Sequence, residues 1–208
     1  DLEHSEKHSM FYYKGIPIEN HKTFINSETY RIAVKMDKLL QELLQPVSVE
    51  LDGKYPIFIP SSTFNTVFLA FHAAQHYARG LALHHLCDWA CLLNRYGLHI
   101  PEEVTDIRFR NMMLAMTHLC NDYLGTSVPV YGGEGLAEEI LWEIIRPPYT
   151  KFVPAKNKWS ILVYKTKRML HTHRVCNSVL RISLCKWVGN SILLHLRSPH
   201  TIFQTERK

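Results

Sequence analysis

The sequence predicts an α+β, mostly α fold: two short β-hairpins within residues 1–60, followed by a helical bundle of about six helices over 61–208. Three observations lead there. β-prone runs in the first 60 residues are joined by glycine-containing turns, apolar residues beyond Pro60 recur at helical spacing, and strands do not alternate with helices as βαβ units require.

Taken in order, Ser9–Tyr13 and Ile16–His21 flank Lys14-Gly15, the two-residue connection of a tight hairpin. Period-2 alternation sets Pro17, Glu19 and His21 on one face, so Glu19 and His21 point the same way. Ser27 is placed to cap a helix carrying Ile32, Met36, Leu39, Leu40 and Leu43, which Pro46 stops. Val47–Leu51 and Tyr55–Ile59 flank Asp52-Gly53-Lys54, a second hairpin. Helices are expected near 62–79, 81–96, 102–124, 135–146, 157–175 and 178–196, with Gly80, Gly97, Gly125 and Pro147-Pro148 as breakers.

With 46% hydrophobic and 21% charged residues the chain is an ordinary globular mix, long enough for one large or two small domains. No apolar run reaches the roughly 20 residues of a membrane span. Five cysteines without framework spacing argue for reduced, buried thiols in a cytoplasmic setting. Charge is uneven: residues 151–208 carry 12 Lys and Arg against one acid, Glu206, while the preceding residues are net acidic. Lys165, Arg168, His171 and Arg174 fall near one helical side, with Ile161, Tyr164, Leu170 and Leu180 as apolar anchors. That side can hold an anionic partner, nucleic acid or protein, or simply be a solvated face. The chain opens at Asp1 without methionine and reads as a piece of something longer.

The richest stretch for chemistry is His72–Gly80 and the run after it. On a helical wheel Phe64, Val67, Phe68, Phe71, Ala74 and Ala78 share a face, bordered by a stripe of Asn65, His72, His76 and Arg79. The next helix is apolar nearly all round, so Asp88 is expected in packed surroundings, where an ionised carboxylate needs a partner. His84, His85, His72, His76 and Arg79 are the candidates. The set is either a ligand cleft or an internal network that fixes helix packing. His72 and His76 at i, i+4 can share a metal, but Ala73 stands where a zinc hydrolase places its glutamate, and a third ligand such as Asp88 is needed. Arg79-x4-His84 also imitates the spacing of HEPN-type ribonucleases, a spacing that Arg168 and His173 repeat. No phosphate-binding glycine loop or serine nucleophile elbow occurs.

The ordered set Ile18-Glu19-Asn20-His21, His72-x3-His76, Gly80, Leu86-x-Asp88-Trp89-Ala90 and Tyr123-Leu124-Gly125 resembles a bacterial family of nucleotidyltransferases with a minimal core of the DNA polymerase β type. The resemblance covers about residues 8–125. It implies that residues 1–60 are the end of the catalytic sheet, with Glu19 at the third acidic position, serving catalysis and metal. It further implies that His21, His72, His76, Arg79 and Asp88 bind substrate, that Mg²⁺ and a nucleoside triphosphate are the cofactors, and that an upstream catalytic region of the same protein is the partner. Asn20 departs from the usual apolar residue, Lys22 from an aromatic one, and Leu81–His84 from a glycine-rich segment ending in arginine. The family's paired aspartates after a glycine-rich turn are missing: no Asp-x-Asp occurs. The reading is therefore a C-terminal portion, catalytically incomplete, whose helical domain orients nucleotide or substrate. Its alternatives are a non-catalytic module for an anionic partner or a HEPN-like ribonuclease.

Overall fold

The computed structural model describes residues 3–4, 8–21, 23–25, 31–77, 80–149, 157–181 and 183–203, and it has the expected α+β, mostly helical architecture. The chain divides into two compact units, Asp1–Phe64 and Asn65–Lys208, the division falling inside one helix.

The first unit holds both hairpins. β2 (His8–Tyr13) and β3 (Ile16–His21) pair antiparallel, with Tyr13 opposite Ile16 and Met10 opposite Glu19. Lys14 and Gly15 both take positive φ, the demand of a two-residue type I′ turn. A short β1 (Glu3–His4), absent from the sequence expectation, adds to β2 and makes the sheet three-stranded. α1 (Arg31–Leu43) buries Ala33, Met36, Leu39 and Leu40. The proposed cap at Ser27 lies outside the described residues. From α1 the Asp37 carboxylate accepts from the N–H groups of Phe24 and Ile25, tying the incoming segment down. β4 (Val47–Leu51) and β5 (Tyr55–Ile59) form the second hairpin around Asp52 and Gly53, again both at positive φ.

α2 (Ser62–His76) crosses into the second unit, which continues with α3 (Leu83–Tyr96), α4 (Ile107–Tyr123), α5 (Glu134–Ile145), α6 (Lys158–Leu180) and α7 (Leu184–Arg197). A 3-10 turn, Pro199–Ile202, follows. α4 is the centre of this unit: it packs against α3, α5 and α6 and buries Phe109, Met112, Met113, Ala115, Met116, Leu119 and Cys120. It starts at Ile107, five residues later than the periodicity predicts, because the Asp106 carboxylate accepts from the Arg108 and Phe109 N–H groups and so caps the helix there. Trp89 Nε1 donates to Thr117 Oγ1 at 3.0 Å, a buried bond between α3 and α4. Phe71 meets Phe109 edge to face and joins α2 to the same centre.

The expected break between the last two helices also shifts. α6 runs on to Leu180, and the chain turns at Arg181, whose φ is +48°. Its guanidinium reaches Asp106 at 3.0 Å, and Arg108 donates to the Asn177 carbonyl, so the turn is held by α4 and not by a local glycine. Of the apolar anchors named for α6, Ile161 and Leu180 are buried, whereas Leu170 is exposed. Cys87, Cys91 and Cys185 are exposed thiols, contrary to the expectation of burial; Cys120 and Cys176 are buried. Burial pushes the Cys120 thiol up to about 12, so it stays protonated and inert. None of the described helices is long and apolar enough to cross a membrane.

Gly133, just before α5, carries φ +96°, and a Cβ there would lie 2.8 Å from the backbone nitrogen of Ala115 on α4. Gly133→Ala should therefore lower stability by more than ~1 kcal/mol, while Gly135→Ala, in open space within α5, should leave it equal or raise it by up to ~1 kcal/mol. Urea denaturation of the two variants checks this; equal stability of Gly133→Ala and the parent would contradict the close approach of α5 to α4.

Candidate functional site

Three imidazoles meet where α2 faces the start of α3. His72 and His76 stand one turn apart on α2, and His85 lies in the first turn of α3. Ring centroids are 4.7 Å apart for His72 and His76, 4.7 Å for His76 and His85, and 5.4 Å for His72 and His85. One ring nitrogen from each lies within 4.8 Å of the other two. The cluster is graded in exposure: His72 is open to solvent, His76 is half-buried and His85 is 5% exposed. Phe68 stacks on His72 one turn earlier, and His84 lies against His85 at 3.9 Å.

His85 is held by the backbone at the head of α3. Its Nδ1 lies 3.1 Å from the Ala82 nitrogen and 3.2 Å from the Ala82 carbonyl oxygen. One proton cannot serve both contacts. Either Nδ1 accepts from the Ala82 N–H, in the manner of a capping-box side chain, or it carries the proton and donates to the carbonyl. In either tautomer Nε2 is buried and has no hydrogen-bond partner among the described residues.

The surroundings of His72 and His85 favour their neutral forms. Burial foremost, then the neighbouring His85 and His84, hold His72 below its ordinary value of 6.5, against a weaker pull from Asp88. Although exposed as a residue, its ring is flanked by Phe68 and the other imidazoles. His85 is lowered by burial first and then by His84 and His76, while its Ala82 contact and Asp88 oppose the shift. Neutral imidazoles clustered in this way are suited to ligate a metal or to accept a proton.

The expectation that Asp88 sits in packed surroundings is overturned: its side chain is exposed. α3 buries His85, Leu86, Trp89, Ala90, Leu92 and Leu93 along one stripe, and Asp88 shares the outer side with Leu83, His84, Cys87 and Cys91. Leucine and cysteine on that outer side made the helix look apolar all round. Asp88 acts on His72 and His85 through its field and forms no ion pair with the described residues. Arg79 lies outside the described residues. β3 carries Glu19 and His21 in the first unit, but their side chains are outside what is described.

The third histidine of the cluster, His85, is the candidate that spacing alone missed. It entered only as a partner for Asp88, and what marks it is the capping position three residues beyond Ala82. A second histidine pairing, His171 Nε2 with Glu143 Oε1 at 2.7 Å, removes His171 from the basic side of α6, and Lys165 Nζ donates to the Ile202 carbonyl. A shallow cleft between α4 and α5 is rimmed by Asp122, Glu134 and Glu138, charges that repel phosphate.

A family model described as uncharacterised nucleotidyltransferase matches residues 2–125, from the first strand through the end of α4. The chain belongs to this nucleotidyltransferase family. Neither the curated proteins nor the solved structures gave a match. The matched span contains the hairpins and all three clustered histidines of this family member; the basic segment from residue 151 onward lies beyond it. Membership is consistent with use of metal and nucleoside triphosphate, yet the two-ion chemistry needs about three clustered carboxylates. No such carboxylate cluster occurs among the described residues, so they do not fit that pair of ions. Asp1-Leu2-Glu3 has an Asp-x-Glu spacing, and Asp1 lies outside the described residues.

The depressed histidines have a consequence for stability. Between their lowered folded values and 6.5 the unfolded chain binds more protons than the folded one, so stability falls as pH drops below about 6.5. Urea midpoints between pH 7.5 and 5 should show this decline, and His72→Gln should make it shallower; an identical decline in the variant would remove His72 from the linked set.

Proposed function

We propose that this chain is the substrate-orienting part of a nucleotidyltransferase and does not complete the transfer by itself. Membership of the family across residues 2–125 is the observation that carries this reading. In it, β3 supplies Glu19 as the third acid of the catalytic sheet with His21 beside it in sequence pattern, and the helical unit contributes His72, His76, Arg79 and Asp88 toward phosphate or acceptor. The chain has no Asp-x-Asp pair and, at Asp-x-Glu spacing, only Asp1-Leu2-Glu3, so in this reading the remaining carboxylates would be supplied from elsewhere. Glu19 alone cannot bind two divalent ions and position an attacking hydroxyl.

The division of labour follows from chemistry. Nucleotidyl transfer needs carboxylates that gather metal, and it also needs groups that hold the phosphates in line. Arginine suits the second task because its planar fork meets two phosphate oxygens at once. His72, held below its ordinary value, would act as a hydrogen-bonding group to the acceptor and not as a fixed positive charge.

Calorimetric titration with nucleoside triphosphates, paired with a labelled-nucleotide transfer assay in Mg²⁺, tests the reading. Nucleotide should bind, Arg79→Ala should weaken binding by roughly 10- to 100-fold, the loss of a hydrogen bond to a charged group, and no transfer should occur. Transfer by this chain alone, or no nucleotide binding at all, would overturn it.

A further inference from the structure

The buried nitrogen of His85 points beyond the family's reaction. A polar atom left buried without a partner is costly, and native proteins rarely leave one. Among the described residues His85 Nε2 is such an atom, and two further imidazoles lie beside its ring, one nitrogen of each histidine within 4.8 Å of the others. We propose that His72, His76 and His85 form a site for a single transition-metal ion of the Zn²⁺ class, one ring nitrogen from each serving as ligand.

The elements build the site with a fixed and an adjustable side. His85 is set by its Nδ1 contact with Ala82 and by burial, so Nε2 is the nitrogen left for a metal. With Nδ1–H donating to the Ala82 carbonyl, Nε2 presents a lone pair, the tautomer that a metal ligand requires. His72 and His76 come from one face of α2 at i, i+4, and the exposure of His72 lets its ring swing inward at little cost. The metal-free separations, up to 4.8 Å, exceed the ~3.3 Å between ligands around an ion with bonds near 2.0–2.1 Å. Small χ rotations on α2 close the difference while α3 stays in place. Three imidazoles leave a fourth position for water or an anionic oxygen. Asp88, exposed and within electrostatic reach of His72 and His85, lowers the cost of placing a cation there.

The donor set selects the ion. Imidazole suits Zn²⁺, Co²⁺, Ni²⁺ and Cu²⁺, whereas Mg²⁺ takes oxygen, so this site is distinct from the two-ion centre that nucleotidyl transfer uses. The inference stands whether or not the chain binds nucleotide.

The experiment is a Co²⁺ titration of the full chain, stripped of metal by chelator, read by visible absorption, with Zn²⁺ competition and thermal unfolding alongside. One equivalent of Co²⁺ should bind with an intense four-coordinate spectrum, Zn²⁺ should displace it and raise Tm, and excess Mg²⁺ should do neither. His72→Gln and His76→Gln should each weaken binding at least about tenfold. His72 is exposed, so its replacement leaves folding intact. Cys87 and Cys91, exposed four residues apart on α3, are the competing ligands; Cys87→Ser with Cys91→Ser should leave the spectrum unchanged. No stoichiometric binding, binding that survives both histidine changes, or a spectrum lost with the two cysteines would each overturn the proposal.

Discussion

The head of α3 carries the constraint on which the candidate site depends. Ala82 leaves backbone groups that a helix start must satisfy, and the imidazole three residues later folds back to meet them. That contact holds the His85 ring at the helix start, buried, beside the two histidines of α2. A glutamate at the same position would close the helix start equally well. Only a ring with a nitrogen at each end can donate from Nδ1 to the Ala82 carbonyl and still present a lone pair on its far side.

The rest of the second unit keeps α2 and α3 where this meeting requires them. α3 is bound to α4 by Trp89 through Thr117, and the Cys120 thiol donates to the Leu86 carbonyl one turn earlier. α2 reaches the same centre through Phe71 on Phe109, and its end is held by Cys176 of α6, whose thiol donates to the Tyr77 carbonyl. Both helices are thus referred to α4, and the histidines meet across a gap set by helices instead of loops. Rigid elements hold ligand geometry better than loops do. Stiffness on the His85 side with freedom at His72 is what allows an ion to enter and then be gripped.

Much of the fold was legible because its signals are local. Lys14-Gly15 and Asp52-Gly53 adopt positive φ, and between two β-prone runs such a pair marks a tight reversal of paired strands. The α6–α7 boundary was not legible. It rests on Arg181 reaching Asp106 some 75 residues away, with no glycine or proline to mark it. The site was half legible. His72 and His76 announce themselves by i, i+4 spacing, but which residue completes the set depends on which side of α3 turns inward. Asp88 was the expected answer because an acid among apolar residues demands a partner. The actual packing leaves Cys87, Cys91 and Asp88 outside and brings His85 in. Family likeness was carried by Glu19, His21, the histidine pair, Gly80, the Leu86-x-Asp88-Trp89-Ala90 run and Tyr123-Leu124-Gly125, while the sequence holds no Asp-x-Asp pair.

The most direct test of the central claim is the state of one ring. Long-range ¹H–¹⁵N correlation spectra of the ¹⁵N-labelled chain, with and without Zn²⁺, report which nitrogen of His85 carries the proton and which carries the metal. The account predicts a neutral ring that, on addition of one equivalent of Zn²⁺, holds its proton on Nδ1 and shows a metal-shifted Nε2. A His85 ring that keeps a protonated Nε2 with Zn²⁺ present would contradict it.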